Sequence, residues 1–269
     1  MSKPNIDGQR ILIKLGGSTL GEQDSTVQDI IKIHNMGAKP VVVHGGGKAI
    51  SEWVIKQGIQ PEFVRGLRRT NKATLDVAVA VLAGLVNSEL VARFSQAGIK
   101  AIGLSGVSGS LIKAEPLDPE LGYVGKIHSI NPTILETLLD SGNLPVVAPT
   151  AFNTKFDCEN SEKEYSQILN INADTSAGHI AQSLKANKLI FQTDVPGVLD
   201  ARRRLIPHMT RRQAYDLIDS GIVIGGMIPK IEACADALEF VGSGHIIDGR
   251  TQGTLLASCL GEQTGTRII

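Results

Sequence analysis

Two short apolar runs that each stop at glycines, ILIKLGG at residues 11–17 and VVVHGGG at residues 41–47, constrain this chain more than anything else in it. Ile, Leu and Val in sequence, without polar alternation, read as strands buried on both faces, the pattern of a parallel sheet. A segment of helical period follows each run. The two runs begin 30 residues apart, about the length of one βαβ unit. Ligands of such sheets gather outside the carboxyl ends of the strands. Lys14 stands just before the first glycine turn, where its ammonium can reach whatever the turn holds.

The rest of the chain repeats the alternation. Helical periods cover residues 24–36, 49–56, 73–94, 132–139, 170–184, 210–220 (with Thr210 as N-cap) and 231–240. Strand-like runs cover 40–43, 101–104, 144–148, 188–192 and 245–248. Residues 63–70 read as a hairpin or loop, and 111–128 as antiparallel hairpin material turning at Pro116, Pro119 and Gly122. Residues 152–165 read as an exposed charged insertion and 265–269 as an added edge strand. Strands alternating with helices predict an α/β fold, a mainly parallel sheet covered on both faces. A soft lobe boundary falls near residue 185, and no internal repeat is visible.

The 269 residues carry 27 basic and 27 acidic side chains, and without a basic excess no nucleic-acid partner is expected. No apolar run reaches the roughly 18 residues of a bilayer-crossing helix, and residues 1–10 hold no secretory h-region. Cysteine is scarce, at Cys158, Cys234 and Cys259, with no CxxC spacing. That speaks against a disulfide framework and a structural zinc site. A cytoplasmic protein without membrane contact is expected.

Glycine turns beside a lysine suit an anion, because backbone N–H groups in such turns point at phosphate or carboxylate. Glycines also let strands turn into helices, and the residues alone leave both uses open. The P-loop pattern fails, since Gly47, Lys48 and Ala49 lack the Ser or Thr that should follow the lysine. Gly103, Gly106 and Gly109 do not make a dinucleotide fingerprint. Arg68 and Arg69 can clamp a carboxylate or sit as solvated surface charge. Asn170, Asn172 and Asp174 precede a helix and can simply cap it. Lys230 lies near a helix N-terminus, where the dipole disfavours a cation unless an anion sits between them. Asp194 and Asp200 flank VPGVL after a strand, placed to hold a ribose or adenine amine, or merely to keep a loop soluble. His34, His44, His128, His179, His208 and His245 show no triad spacing, and none is assigned as a base.

Taken together, KLGG at 14–17, VHGGG at 43–47, GLR at 66–68, VGK at 124–126, LNINAD at 169–174, TDVPGVLD at 193–200 and GGMIPK at 225–230 resemble the amino acid kinase family. They follow the family's order over nearly the whole chain, and are most similar to its members that phosphorylate N-acetylglutamate. The resemblance implies a three-layer α/β/α sandwich around a mainly parallel eight-stranded sheet. Residues 1–184 would form an N-terminal lobe for the acylated amino acid and for dimerisation, and residues 185–269 a C-terminal lobe for ATP.

The activity it implies is ATP-dependent phosphorylation of the γ-carboxylate of N-acetyl-L-glutamate, the second step of arginine biosynthesis. By the same resemblance Lys14 and Lys230 would stabilise the phosphoryl group in flight, with Asp174 holding both lysines. Gly16 and Gly17 would donate amides on the nucleotide side, Gly45 and Gly46 on the substrate side. Arg68 and Asn170 would bind the substrate. Asp194, Val195, Pro196, Gly197, Val198 and Leu199, with Ile222, Val223 and Ile224, would contact the nucleotide. Mg²⁺ would be held by the ATP phosphates and water, with no protein metal site.

A homodimer insensitive to arginine is also implied, because the segment before the first strand is shorter than the N-terminal helix of arginine-inhibited members. Two departures leave the acyl group open: Arg69 stands where a small apolar residue is usual, and 152–165 is longer and more charged than expected. The alternatives are a kinase of this fold acting on carrier-linked α-aminoadipate or glutamate, and a non-catalytic arginine-sensing module. An NAD-dependent dehydrogenase would need the missing GxGxxG.

Overall fold

Eight strands form the central sheet, in the order His208–Met209, Thr266–Ile268, Gly244–Asp248, Lys188–Thr193, Arg10–Leu15, Lys39–His44, Leu144–Ala148 and Ala101–Ser105. All neighbouring pairs run parallel except Gly244–Asp248 against Thr266–Ile268. The computed structural model describes residues 5–16, 25–156 and 166–269. Gly17, Cys158 and most of the insertion at 152–165 lie outside the described residues.

The alternation of side chains along the inner strands makes three layers. Leu12, Val41 and Val43 point to one face, where Ala177 and Ile180 of the helix Ala173–Ser183 and Ile231 and Ala235 of the helix Ile228–Ala237 cover them. Ile11, Ile13 and Val42 point to the other, under Ile30 and Ile33 of Ser25–Asn35 and Leu90 and Phe94 of Asn87–Gln96. Each such Ile, Leu, Val or Phe side chain contributes about 1.5–3 kcal/mol by leaving water. The expected α/β/α sandwich with a mainly parallel eight-stranded sheet is the fold observed, and its sheet crosses residue 185 unbroken, since Arg10–Leu15 pairs with Lys188–Thr193.

Smaller elements build the rim at the strand ends. A four-stranded sheet orders Ile168–Asn170, Thr150–Asn153, Ile112–Pro116 and Gly125–Ile130. Phe63–Val64 and Leu67–Arg68 form a hairpin, turned by Arg65 and Gly66 at φ 50° and 81°. Two successive positive φ values match the twist that a two-residue hairpin needs. Lys72–Gln96 is one continuous helix of 25 residues, wound as a π-helix over Ala80–Val86. Its length and apolar composition would suffice to cross a bilayer. It packs instead as a core helix, with Leu75, Val81, Leu82, Leu90 and Phe94 buried.

Some boundaries differ from expectation. Thr266–Ile268 is not an edge strand, because His208–Met209 pairs outside it. Residues 168–170 pair as a strand, so the following helix starts only at Ala173. The helix after GGMIPK starts at Ile228 rather than 231, since proline is tolerated in a first helical turn. Lys230 therefore projects from inside a helix.

Candidate active site

Because the inner strands are parallel, Lys14, His44 and Thr193 all stand at the same carboxyl edge of the sheet. Asp174 reaches that edge from the first turn of Ala173–Ser183. The helix cap falls to Asn172, whose side-chain oxygen accepts from the Asp174 and Thr175 amides at 2.9 and 3.0 Å. Asp174 is thereby left to other partners. Its Oδ1 lies 2.7 Å from Lys14 Nζ and its Oδ2 accepts from Lys230 Nζ at 2.9 Å. Lys230 also donates to the Gly226 carbonyl at 2.9 Å.

The side chains of Lys14, Asp174 and Lys230 are only 8%, 7% and 15% exposed. Burial alone would push the Asp174 carboxyl up, but the two ammonium charges and their hydrogen bonds outweigh it and hold it below the usual range. Residues three and four apart share a helix face, so Asp174 and Gly178 face Lys230 and Ala233. A Cβ on Gly178 would lie 3.1 Å from that of Ala233. The missing side chain sets how closely the two helices carry carboxylate and lysine together.

In front of this group lies a cleft of about 210 Å³ lined by Lys14, Gly45, Gly46, Phe63, Arg68, Asn170 and Asp174, among others. Gly46 begins the helix Gly47–Lys56 without a side-chain cap, and the first amides of a helix have no intrahelical acceptors. Arg68 Nη2 donates to the Gly47 carbonyl and to Ser51 Oγ, both at 2.8 Å. Its guanidinium lies 4.7 Å from the Phe63 ring centroid. Its Nη1 is buried with no partner among the described residues. An orphaned guanidinium nitrogen is unfavourable, and a carboxylate is the partner it fits best. Asn170 donates to Thr70 Oγ1 at 3.3 Å, and that hydroxyl donates to the Arg68 carbonyl at 2.8 Å. Thr70 thus couples the two residues expected to hold a substrate.

His44 is fully buried, and burial lowers its value to about 4, with the nearby Lys14 charge acting the same way. It is neutral near pH 7. Arg69 turns away from the cleft, pairs with Glu62 at 2.7 Å and lines a separate groove.

The segments 194–199 and 222–224, expected to meet a nucleotide, do not line this cleft. Asp194 follows Thr193 at a strand end and accepts from its hydroxyl at 3.3 Å. Val195 and Pro196 stay partly or largely exposed, and Gly197 takes φ 145°. The Val198 amide donates to Thr266 Oγ1 at 2.8 Å, and Leu199 bridges to Leu205. Val198 and Val223 bury their side chains in the core, and the Val223 amide donates to the Leu217 carbonyl at 3.1 Å, whereas Ile222 and Ile224 are exposed. Asp200 is engaged by Arg204 in its own turn, which leaves little for a ribose. Gly16 is buried directly after the Lys14 strand. Phe63, Thr70 and Ser51 escaped the sequence reading. Phe63 and Thr70 entered it only as the two ends of a glycine-containing hairpin or loop, and Ser51 only as part of a helical period; Thr70 is fully buried here.

The amino acid kinase family matches residues 9–248. The acetylglutamate kinase of Gloeobacter violaceus is 42% identical over 268 residues, covering 95% of this chain and 85% of that protein. The acetylglutamate kinase of a Dehalococcoides mccartyi strain is 38% identical over 269 residues, covering 100% and 97%. A crystal structure from Streptococcus mutans superposes with a TM-score of 0.81 at 30% identity, over 96% of this chain and 98% of that one.

Proposed function

This chain belongs to the amino acid kinase family, and on that footing we propose that it transfers the γ-phosphoryl group of ATP to the γ-carboxylate of N-acetyl-L-glutamate. The product is an acyl phosphate, and the step is the second of arginine biosynthesis. The observation that carries this reading is the buried Asp174 carboxylate gripping Lys14 and Lys230 at 2.7 and 2.9 Å.

The acceptor carboxylate is already ionised near pH 7, so the reaction needs no general base. The difficulty is to bring one anion onto another, and phosphoryl transfer is catalysed mainly by positioning and charge neutralisation. Lys14 and Lys230 supply two cations that Asp174 keeps from splaying. Gly16 and Gly17 supply amides on the nucleotide side and Gly46 on the substrate side, whereas Gly45 gives its own N–H to the Leu15 carbonyl and serves by holding the turn. Arg68 offers its unpartnered Nη1 to the substrate's other carboxylate, with Asn170 beside it. Arg69, which points elsewhere, does not restrict the acyl group.

The nucleotide lies along Asp194, Val195, Pro196, Gly197, Val198 and Leu199, with Ile222, Val223 and Ile224. It enters as its Mg²⁺ complex. Among the described residues no three His, Cys, Asp or Glu side chains cluster to hold a metal, and both Asp174 oxygens serve lysines. The donor set therefore suits a metal carried on the phosphates. Residues 1–184 hold the acylated amino acid and the homodimer contact, residues 185–269 the nucleotide, and the enzyme works in the cytoplasm.

The test is acyl-phosphate trapping by hydroxylamine with Mg·ATP and N-acetyl-L-glutamate, against glutamate, aspartate and N-acetylaminoadipate. Turnover of acetylglutamate alone, lost in Lys14→Ala and Lys230→Ala, is expected. Turnover of another acid moves the substrate. No turnover with any of them overturns the reading in favour of a binding module.

A further inference from the structure

Asn87 lies directly after the π-helical stretch Ala80–Val86, where the altered winding turns this polar residue into the core. It is buried. Its side-chain nitrogen donates to the Val146 carbonyl at 2.9 Å, lies 3.4 Å from the Leu104 carbonyl, and meets His44 Nε2 at 3.1 Å. A nitrogen bound to a carbonyl must be the NH₂, so the imidazole nitrogen facing it is the bare acceptor. The ring proton then sits on Nδ1, which donates to the Gly45 carbonyl at 2.9 Å. Gly103 leaves room for this amide, since a Cβ there would come within 2.1 Å of Asn87 Oδ1.

The chain of bonds ends at one peptide unit. Gly45 donates its own N–H to the Leu15 carbonyl at 3.0 Å. In a planar trans peptide the Gly45 carbonyl and the Gly46 N–H point in opposite directions. With the carbonyl drawn to His44, the Gly46 N–H faces away from the ring, at a residue that lines the cleft. It finds no acceptor among the described residues. Leu82, from the π-helical stretch itself, closes the turn from behind: a Cβ on Gly46 would lie 2.7 Å from its Cδ2.

We propose that His44 and Asn87 are positioning residues, which hold the Gly45–Gly46 peptide with its N–H turned toward the anion of the reaction and exchange no proton during it. The proposal rests on the phosphoryl-transfer reading above. A protonated His44 would set Nε2–H against the Asn87 N–H. Burial disfavours that cation, as does the charge of Lys14.

The decisive measurement is ¹⁵N spectroscopy of histidine-labelled protein, combined with kinetics of Asn87→Leu, which keeps the size and deletes both donors. Wild-type His44 is expected as the Nδ1–H tautomer, without titration between pH 8 and 5.5. In Asn87→Leu the single tautomer is lost and kcat falls about 10²-fold, the scale of losing one oxyanion donor, with KM for ATP within about twofold of wild type. An Nε2–H tautomer, titration near pH 6.5 in the wild type, or a changed spectrum with unchanged kcat overturns the proposal. If Asn87→Leu does not fold, His44→Gln and His44→Phe replace it. Gln keeps a donor and should retain more of kcat than Phe, and equal losses overturn the proposal. Wild-type turnover in the same assay tests the functional reading separately, because the spectrum reports the relay whether or not any substrate reacts.

Discussion

Acidification from pH 8 to 5 should remove several kcal/mol of folding stability through two buried neutral histidines. His44 and His245 are lowered from 6.5 to about 4 and about 3, burial being the largest cause for each. Lys14 faces His44, while Lys188, Arg267 and His208 face His245. His245 is held between Ser243 Oγ at 2.8 Å and Ser258 Oγ at 3.1 Å. As pH falls below 6.5 the unfolded chain takes up protons at both rings and the folded chain does not. Their stabilisation is therefore complete above 6.5 and drains away as pH falls toward 4 for His44 and 3 for His245. At pH 5, about 1.5 units into that window, each ring has given up about 2 kcal/mol, at about 1.36 kcal/mol per unit.

The pair together accounts for about 4 kcal/mol, a large share of the 5–15 kcal/mol typical of a folded domain. His179, also lowered by burial, acts in the same direction. The assay is urea unfolding at both pH values for wild type and His245→Asn. Whatever the substitution costs at pH 8 cancels in the difference, so the variant should lose about 2 kcal/mol less than wild type on acidification. Equal losses, or a wild-type loss under about 1 kcal/mol, would refute the picture of two rings kept neutral by burial.

Asp174→Asn leaves two buried ammonium groups without their counter-charge and should cost about 3–5 kcal/mol, the scale of breaking a buried ion pair. Sulfate should then raise the unfolding midpoint of the variant more than that of wild type, and an equal response would contradict the shared-carboxylate account. Arg68→Lys loses the forked donor whose Nη1 has no internal partner; KM for acetylglutamate should rise about tenfold with kcat within about threefold. Unchanged KM in steady-state kinetics would remove Arg68 from the substrate site.

The inner strands were legible because burial on both faces leaves an unbroken apolar run, and the glycines after Lys14 and His44 mark where those runs end. Local pattern could not say which of Asn172 and Asp174 caps the helix, as either side chain suits that position. The structure gives the cap to Asn172 and the lysines to Asp174, a division set by Lys230 arriving from 56 residues away. Lys230 looked like a residue before a helix because proline and glycines precede it, yet Pro229 sits within the first turn. Asn87 was hidden for another reason. Inside a long Ala, Val and Leu segment a lone asparagine reads as an exposed position, and only the π-helical winding, which no local residue type announces, turns it inward. Arg69 looked like a change to the substrate pocket, but in the hairpin strand that ends at Arg68 successive side chains take opposite sides.

The strand that carries Lys14 has a neighbour from each half of the chain, Lys39–His44 on one side and Lys188–Thr193 on the other. The two halves are therefore one plate rather than two plates on a hinge. Swinging one half against the other would have to shear the register from Ile11 against Lys188 to Lys14 against Phe191, which backbone hydrogen bonds resist. Any shortening of the gap between donor and acceptor must come from the rim, above all the hairpin bearing Phe63 and Arg68. Lys14 stays on this shared plate and holds Lys230 to it through Asp174, and amide exchange along the first strand should be as slow as the slowest in the sheet.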